Sequence, residues 1–350
     1  MARLLIHPSF DDLSPVNNGF LLLKSQLGLI SRRYFVSDST HSNYQQYQGS
    51  GQQSSNANTG DISGPFSYKF AVAYQPKDRD DKIYQKLKDS LMSATGEDNF
   101  FVTSNSVSDL WTGVADGVGG WVEHGYDSSA ISRELCKAMG QLASLPSPKG
   151  GKDQSLTPKD LIGSAYRKIK DEKTVEVGGT TAIAAHFENN GTLNIANLGD
   201  SWCGVFRDHK MVFQTKFQTV GFNAPFQLAI IPEPMAKEAA RTGRSYIQNT
   251  PEDADEYKFD LAKNDVVILA TDGVTDNIDT GDIELFLRDN EAQVETDFQN
   301  AAKELVAKIV TISKDPKFPS VFSQELTKLT GKLYQGGKED DITMVMVHVK

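Results

Sequence analysis

Leu110-Trp111-Thr112-Gly113-Val114-Ala115-Asp116-Gly117-Val118-Gly119-Gly120 is an apolar run that stops on a carboxylate and a glycine-rich turn. Its aromatic and β-branched residues predict a strand over 110–115. Asp-Gly then ends the strand, because Asp bonds its own backbone and Gly tolerates positive φ. Taken alone, such a dipeptide is only a turn. The pattern recurs, however. Leu269-Ala270-Thr271-Asp272-Gly273 closes another apolar run, and Glu339-Asp340-Asp341 opens the last one at 342–349. Glu97-Asp98 precedes an expected strand at 99–107, and Asp200 follows Asn197-Leu198-Gly199. Each carboxylate would therefore be held rigidly at the end of a strand.

Outward from these positions, strands are expected at 68–74, 180–187, 192–198, 202–207, 211–215, 257–261 and 266–270. Helices are expected at 127–142, 158–173, 281–289 and 295–312. Thr157-Pro158 supplies an N-cap followed by proline at the first helical position. Many antiparallel-looking strands interrupted by helix pairs indicate an α+β fold rather than a doubly wound sheet. No internal repeat is present.

Composition narrows the function. The chain has 350 residues, 39% hydrophobic and 23% charged, an ordinary globular balance able to bury a sizeable core. A net charge of −10 argues against nucleic acid as a partner, since phosphate backbones need clustered Lys and Arg. With Cys136 and Cys203 the only cysteines, a disulfide scaffold and an all-cysteine zinc site are excluded. Both read as small buried hydrophobes.

Three segments are expected. Residues 1–36 carry Arg3, Lys24, Arg32 and Arg33 against Asp11 and Asp12, with a weakly amphipathic apolar stretch over 20–30. Arg32-Arg33-Tyr34-Phe35 suits cleavage by a matrix peptidase, so this segment reads as mitochondrial targeting. Lys24, Ser25 and Gln26 interrupt the apolar run, which is too short to span a bilayer. Residues 37–64 lack Lys and Arg, are dominated by Ser, Gln, Asn, Gly and Thr, and read as a disordered linker. Residues 65–350 form the folded domain. Membrane association is not indicated, and nothing in the sequence fixes an oligomeric state.

Clustered like charges are costly unless a cation neutralises them. Carboxylates without histidines favour hard divalent ions, Mg²⁺ or Mn²⁺, over zinc. Two such ions, roughly 3.5–4 Å apart, can activate a water and clamp phosphoryl oxygens without any Ser or Cys nucleophile.

Ala115-Asp116-Gly117-Val118-Gly119-Gly120, Gly178-Gly179-Thr180-Thr181-Ala182, Asn197-Leu198-Gly199-Asp200-Ser201, Ala270-Thr271-Asp272-Gly273 and Asp340-Asp341-Ile342-Thr343 occur in the order found in metal-dependent protein phosphatases. The domain thus resembles the PPM, or type 2C, Ser/Thr phosphatases. Phe222-Asn223-Ala224-Pro225-Phe226-Gln227-Leu228 is similar to the branch with organellar, mitochondrial members. The resemblance implies a four-layer α-β-β-α sandwich with a binuclear metal centre at one end. It implies Asp116 as the bridging ligand, the Gly117 carbonyl in one metal site, and Asp272 and Asp340 in the other. Glu97 and Asp98 would orient waters in catalysis, and Asp200 would join Asp272 around a weaker third ion. Asp341 would support the site from behind. Phosphorylated proteins are the implied partners, and organellar members are associated with mitochondrial metabolism, including coenzyme Q synthesis.

Three departures from the family pattern stand out. Val118 replaces a histidine that serves as a candidate general acid, and Ser93 replaces a phosphate-binding arginine. Residues 220–228 replace the usual segment beside the substrate. His124, past the glycine pair, is one candidate for the missing acid, and a loop histidine is its plain alternative. A pseudophosphatase that keeps the fold and binds without catalysis is the rival reading. Nucleotide and esterase readings fail locally: position 122 is Val where a dinucleotide loop needs Gly, and Val345 stands where a Gly-Asp-Ser esterase needs Asp before His348. The largely apolar stretch 217–231 reads either as packing beneath a flap or as a surface facing substrate or partner.

Overall fold

A computed structural model describes residues 66–79, 93–145 and 156–350. The expected targeting segment 1–36 and linker 37–64 lie outside the described residues. Two antiparallel five-stranded sheets form the centre. One runs β1 (Tyr68–Gln75), β14 (Ile342–Val349), β13 (Val266–Ala270), β7 (Trp202–Arg207) and β8 (Lys210–Gln214). The other runs β12 (Asp255–Asp260), β6 (Thr192–Leu198), β5 (Ala182–Phe187), β3 (Asp109–Asp116) and β2 (Asp98–Ser106).

The central strands are apolar throughout because both of their faces are buried. Side chains alternate across a strand. Val345 and Val347 of β14 therefore enter the core between the sheets with Val114, Ile183, Ile195, Val205 and Leu269. Met344 and Met346 point the other way, towards Phe298, Ala302, Leu305 and Ile309 of α7 (Phe298–Ser313). On the far side, Ala115, Ala182, Ala184 and Ala196 meet Ile131, Leu135 and Met139 of α1 (Ser129–Ala143) and Leu161, Ile162 and Ile169 of α2 (Pro158–Asp171). The sheets carry small alanines where helices pack closest. Each fully buried Leu, Ile or Phe in these layers contributes about 1.5–3 kcal/mol. Helices thus flank two face-to-face sheets, a mixed α/β arrangement consistent with the expected sandwich.

Local expectations hold where the signal is local. Thr157 and Asp160 form a reciprocal capping box with Pro158 at the first helical position of α2. Strands at 192–198, 202–207, 266–270 and 342–349 have the expected bounds. The expected strand at 180–187 is divided: β4 (Gly178–Thr180) leaves the sheet and pairs with β11 (Leu228–Ile230). The expected helix at 295–312 is also divided, into α6 (Glu291–Thr296) and α7, because Asp297 caps Asn300 and starts a new helix. Two further helices, α3 (Glu233–Arg241) and α8 (Val321–Thr330), were not foreseen. α3 is short, buries no residue and opens on prolines, and its apolar stripe is only Met235 with alanines. Among the described residues no helix is long and apolar enough to cross a membrane.

Candidate active site

Every acidic position singled out in the sequence lies at one end of the paired sheets. Asp116 ends β3, and Asp98 opens β2 directly opposite it. Asp200 lies between β6 and β7, Asp272 begins the short helix α4 (Asp272–Thr275) after β13, and Asp340 precedes β14. A cleft of about 360 Å³ opens here, lined by Glu97, Asp116, Gly117, Asp200, Asp272 and Asp340 among others.

Backbone bonds set the carboxylates in place. Asp116 is fixed through its main chain: its N–H donates to Thr181 Oγ1 at 3.0 Å, and its carbonyl accepts from Thr180 Oγ1 and the Thr181 N–H, both at 2.9 Å. This is the task of the Gly-Gly-Thr-Thr stretch. Thr271 Oγ1 donates to Asp98 Oδ2 at 2.7 Å and so links the two sheets. Asp341 is a buried staple. Its carboxylate accepts from the N–H groups of Lys77 at 2.9 Å and Glu97 at 2.8 Å, and from Arg79 Nη2 at 3.2 Å.

Two glycines are sterically required. A Cβ on Gly117 would meet the Glu97 carbonyl oxygen at 2.6 Å and the Ser128 carbonyl closer still. A Cβ on Gly119 would meet Glu97 Oε2 at 2.8 Å. Glu97 itself is buried, accepting from Ser128 Oγ and pairing with Lys77 Nζ at 2.7 Å.

The electrostatics record mutual repulsion. Burial, then Asp272 and Asp98, push the Asp116 carboxyl well above the usual range. Burial and Asp341 do the same to Asp98, partly offset by the Thr271 hydrogen bond. Asp200 is raised by burial, Asp272 and Asp276. Asp276 is pushed up to about 7 by burial and Asp272, against the pull of Lys338. Asp340 goes the other way: burial alone would raise it, but Lys77 and Lys338 hold it at about 2.

Three of these groups were missed in the sequence. Asp276 lies four residues after Asp272, a spacing that places both on one helical face, and this was the available signal. Lys77 Nζ sits 2.9 Å from Asp340 Oδ1, and Lys338 Nζ 2.7 Å from Asp272 Oδ2. Nothing local marks either lysine. Conversely, His124 is exposed, lies against Trp121 with ring centroids 6.3 Å apart, and does not line the cleft. Ser93 is also absent from the lining. The apolar stretch 217–231 divides: Phe217, Val220 and Phe222 are exposed, whereas Ala224, Leu228 and Ala229 are buried. With residues up to 250 it forms a flap containing β9 (Thr219–Gly221), β10 (Ala224–Pro225), β11 and α3, and its Pro225, Gln227, Tyr246 and Ile247 line one wall. Tyr246 stacks on Trp121 at 5.4 Å.

The donor set is all oxygen. Asp272 Oδ1 is buried with no hydrogen-bond partner, and Asp116 has no side-chain partner among the described residues. These are properties a hard divalent cation would satisfy. Among the described residues, no three His, Cys, Asp or Glu side chains already stand as a ligand group. The residues fit such ions by chemistry; the expected binuclear centre is not itself visible in the fold.

A model of the Stage II sporulation protein E (SpoIIE) family matches residues 106–350, more than half of the chain. Protein phosphatase 2C homolog 7, mitochondrial, of Saccharomyces cerevisiae is 64% identical over 325 residues, covering 93% of this chain and 94% of that protein. The chain belongs to the PPM, or type 2C, family of metal-dependent protein phosphatases. It is accordingly a Ser/Thr protein phosphatase, and its localisation is mitochondrial. Protein phosphatase PTC7 homolog fig of Drosophila ananassae is 34% identical over 257 residues, 73% of this chain and 74% of that one. Among solved structures, the photosystem II phosphatase PBCP superposes with a TM-score of 0.63 at 26% identity, over 81% of this chain and 99% of that chain. A catalytic PPM phosphatase, rather than a binding module that merely keeps the fold, is what these likenesses support.

Proposed function

We propose that this PPM phosphatase hydrolyses phosphoserine and phosphothreonine in mitochondrial matrix proteins, enzymes of metabolism and coenzyme Q synthesis among them. In this reading residues 1–36 direct import, 37–64 are a linker and 65–350 the catalytic domain. Two Mg²⁺ or Mn²⁺ ions would be held by Asp116, the Gly117 carbonyl, Asp272 and Asp340. Bound there, they would acidify the attacking water and neutralise charge on the phosphoryl oxygens. The observation that carries the proposal is the convergence of Asp116, Asp200, Asp272 and Asp340 on one cleft, with Asp98 opposite Asp116 and Asp272 Oδ1 buried and unsatisfied.

The chain's own residues do the rest. Glu97 and Asp98, pinned by Ser128 and Thr271, orient water on the side of Asp116. Lys77 and Lys338 line the cleft and offset its negative charge, so that a phosphate dianion can enter. Trp121 and Tyr246 wall the cleft and receive the peptide around the phosphorylated residue. Among the described residues no histidine lines the cleft, so the leaving alkoxide takes its proton from another group or from water. The test is hydrolysis of a phosphoserine peptide by purified protein with Mn²⁺, with and without chelator. Mn²⁺-dependent release of phosphate, lost in Asp272→Asn, supports the assignment. Metal-independent release would overturn it. Comparing mitochondrial phosphoproteomes with and without the protein would identify its targets.

A further inference from the structure

Asp200, Asp272 and Asp276 crowd one corner of the cleft: Asp272 and Asp276 raise the cost of charge on Asp200, and Asp272 does so on Asp276. The sequence led us to expect a weak third divalent ion between Asp200 and Asp272. The chain's own cation sits on the Asp272 side of that corner instead. Lys338 Nζ lies 2.7 Å from Asp272 Oδ2, 2.5 Å from Asp276 Oδ2 and 3.2 Å from Asp340 Oδ2. We propose that the Lys338 ammonium is a resident cation that replaces a third divalent ion, so that this phosphatase binds two ions and not three. The inference rests on the two-ion reading above.

The lysine is placed, not draped. Asn277, buried at the end of α4, clamps its backbone from both sides: Nδ2 donates to the Lys338 carbonyl and Oδ1 accepts from its N–H, at 2.8 and 2.9 Å. The ammonium lies 5.3 Å from the centroid of the Phe322 ring of α8. Asn223 of the flap accepts a hydrogen bond from it at 3.2 Å. Its side chain is only 16% exposed, so it does not sample solvent freely.

The charge logic is direct. Divalent ions bind carboxylate oxygens at about 2.0–2.6 Å, and an ion shared by Asp272 Oδ2 and Asp276 Oδ2 would need the space that Nζ fills. An ammonium and a divalent cation cannot both fill it, because the two would overlap in space. Asp272 divides its oxygens accordingly: Oδ2 serves Lys338, while Oδ1 remains unpartnered within the chain and open to an ion of the binuclear pair. Lys338 also joins the carboxylates to the flap, so this corner holds its flap contact without waiting for a loosely bound ion.

The experiment counts ions. Full-length protein stripped of metal is titrated with Mn²⁺, and bound metal is read by calorimetry and by loss of the free-ion electron-spin signal, with no turnover involved. Wild type should saturate at two ions. Lys338→Met, which removes the charge and keeps the bulk, should take up a third, and Lys338→Arg, which restores the charge, should return to two. If Lys338→Met does not fold, Lys338→Gln is the neutral variant to read. A third ion in wild type, or two ions in the folded neutral variant, would overturn the proposal and leave the two-ion reading standing. Fewer than two ions in wild type would overturn both.

Discussion

Replacing Asp116 with Asn should stabilise the metal-free protein while abolishing its catalysis. The change removes one negative charge and almost no volume. The backbone bonds that fix residue 116 to Thr180 and Thr181 do not involve the carboxylate, so they survive. What disappears is repulsion. Asp98 stands directly opposite Asp116 in the β2–β3 pair, where side chains lie about 4.5–5.5 Å apart. At an effective dielectric of about 20, two charges at such a distance repel by about 3 kcal/mol. Asp272, Asp340 and Asp200 add to the repulsion, while the water in the open cleft screens it. A net gain of about 1–3 kcal/mol follows, equivalent to roughly 2–5 °C in Tm for a domain of this size. Melting curves in chelator should therefore shift upward. In Mn²⁺ the order should reverse, because wild type gains stability from binding and the variant lacks the Asp116 carboxylate that the proposed binding needs. Turnover should fall by a factor of about 10³ or more, a loss of about 4 kcal/mol in transition-state stabilisation. Near-normal activity with Mn²⁺, or a lower melting temperature in chelator, would refute the reasoning.

Asp272→Asn should behave likewise in activity, with Mn²⁺-dependent turnover lost and the fold retained by circular dichroism. Chelator should abolish wild-type activity and added Mn²⁺ or Mg²⁺ restore it, whereas the Cys136→Ser, Cys203→Ser variant stays active. Both thiols are buried, and burial pushes both upward from the ordinary thiol range, so alkylation in the folded state should be negligible and become rapid only on denaturation. His124→Ala should change hydrolysis of a phosphoserine peptide and of p-nitrophenyl phosphate by less than about twofold each. A selective loss with the phosphopeptide alone would make His124 the acid after all. Sequencing of the mature N-terminus should find a start between Tyr34 and Ser39, and retention of Met1 or Ala2 would count against matrix processing.

The amino-acid sequence by itself determined whatever depends on neighbours along the chain. The apolar runs ending in Asp116 and Asp272, the capped start of α2 at Thr157, the buried inertness of both cysteines and the glycines beside Asp116 all follow from periodicity, turn chemistry and residue size. Their order along the chain was enough to suggest the family. Tertiary structure alone decided which charges meet. Lys77 reaches Asp340 across 263 positions, and Lys338 reaches Asp272 across 66. Each lysine reads in sequence as an ordinary solvated charge, because an ion pair between distant residues imposes no local pattern. His124 shows the converse: six residues from Val118 it looked close enough to the site, yet the helical turn at 119–124 carries it to the surface. Asp276 and the flap from 217 to 250 belong to the same class. Their neighbours are fixed by how two sheets pack and where β4 leaves its sheet, and only the folded chain contains that information.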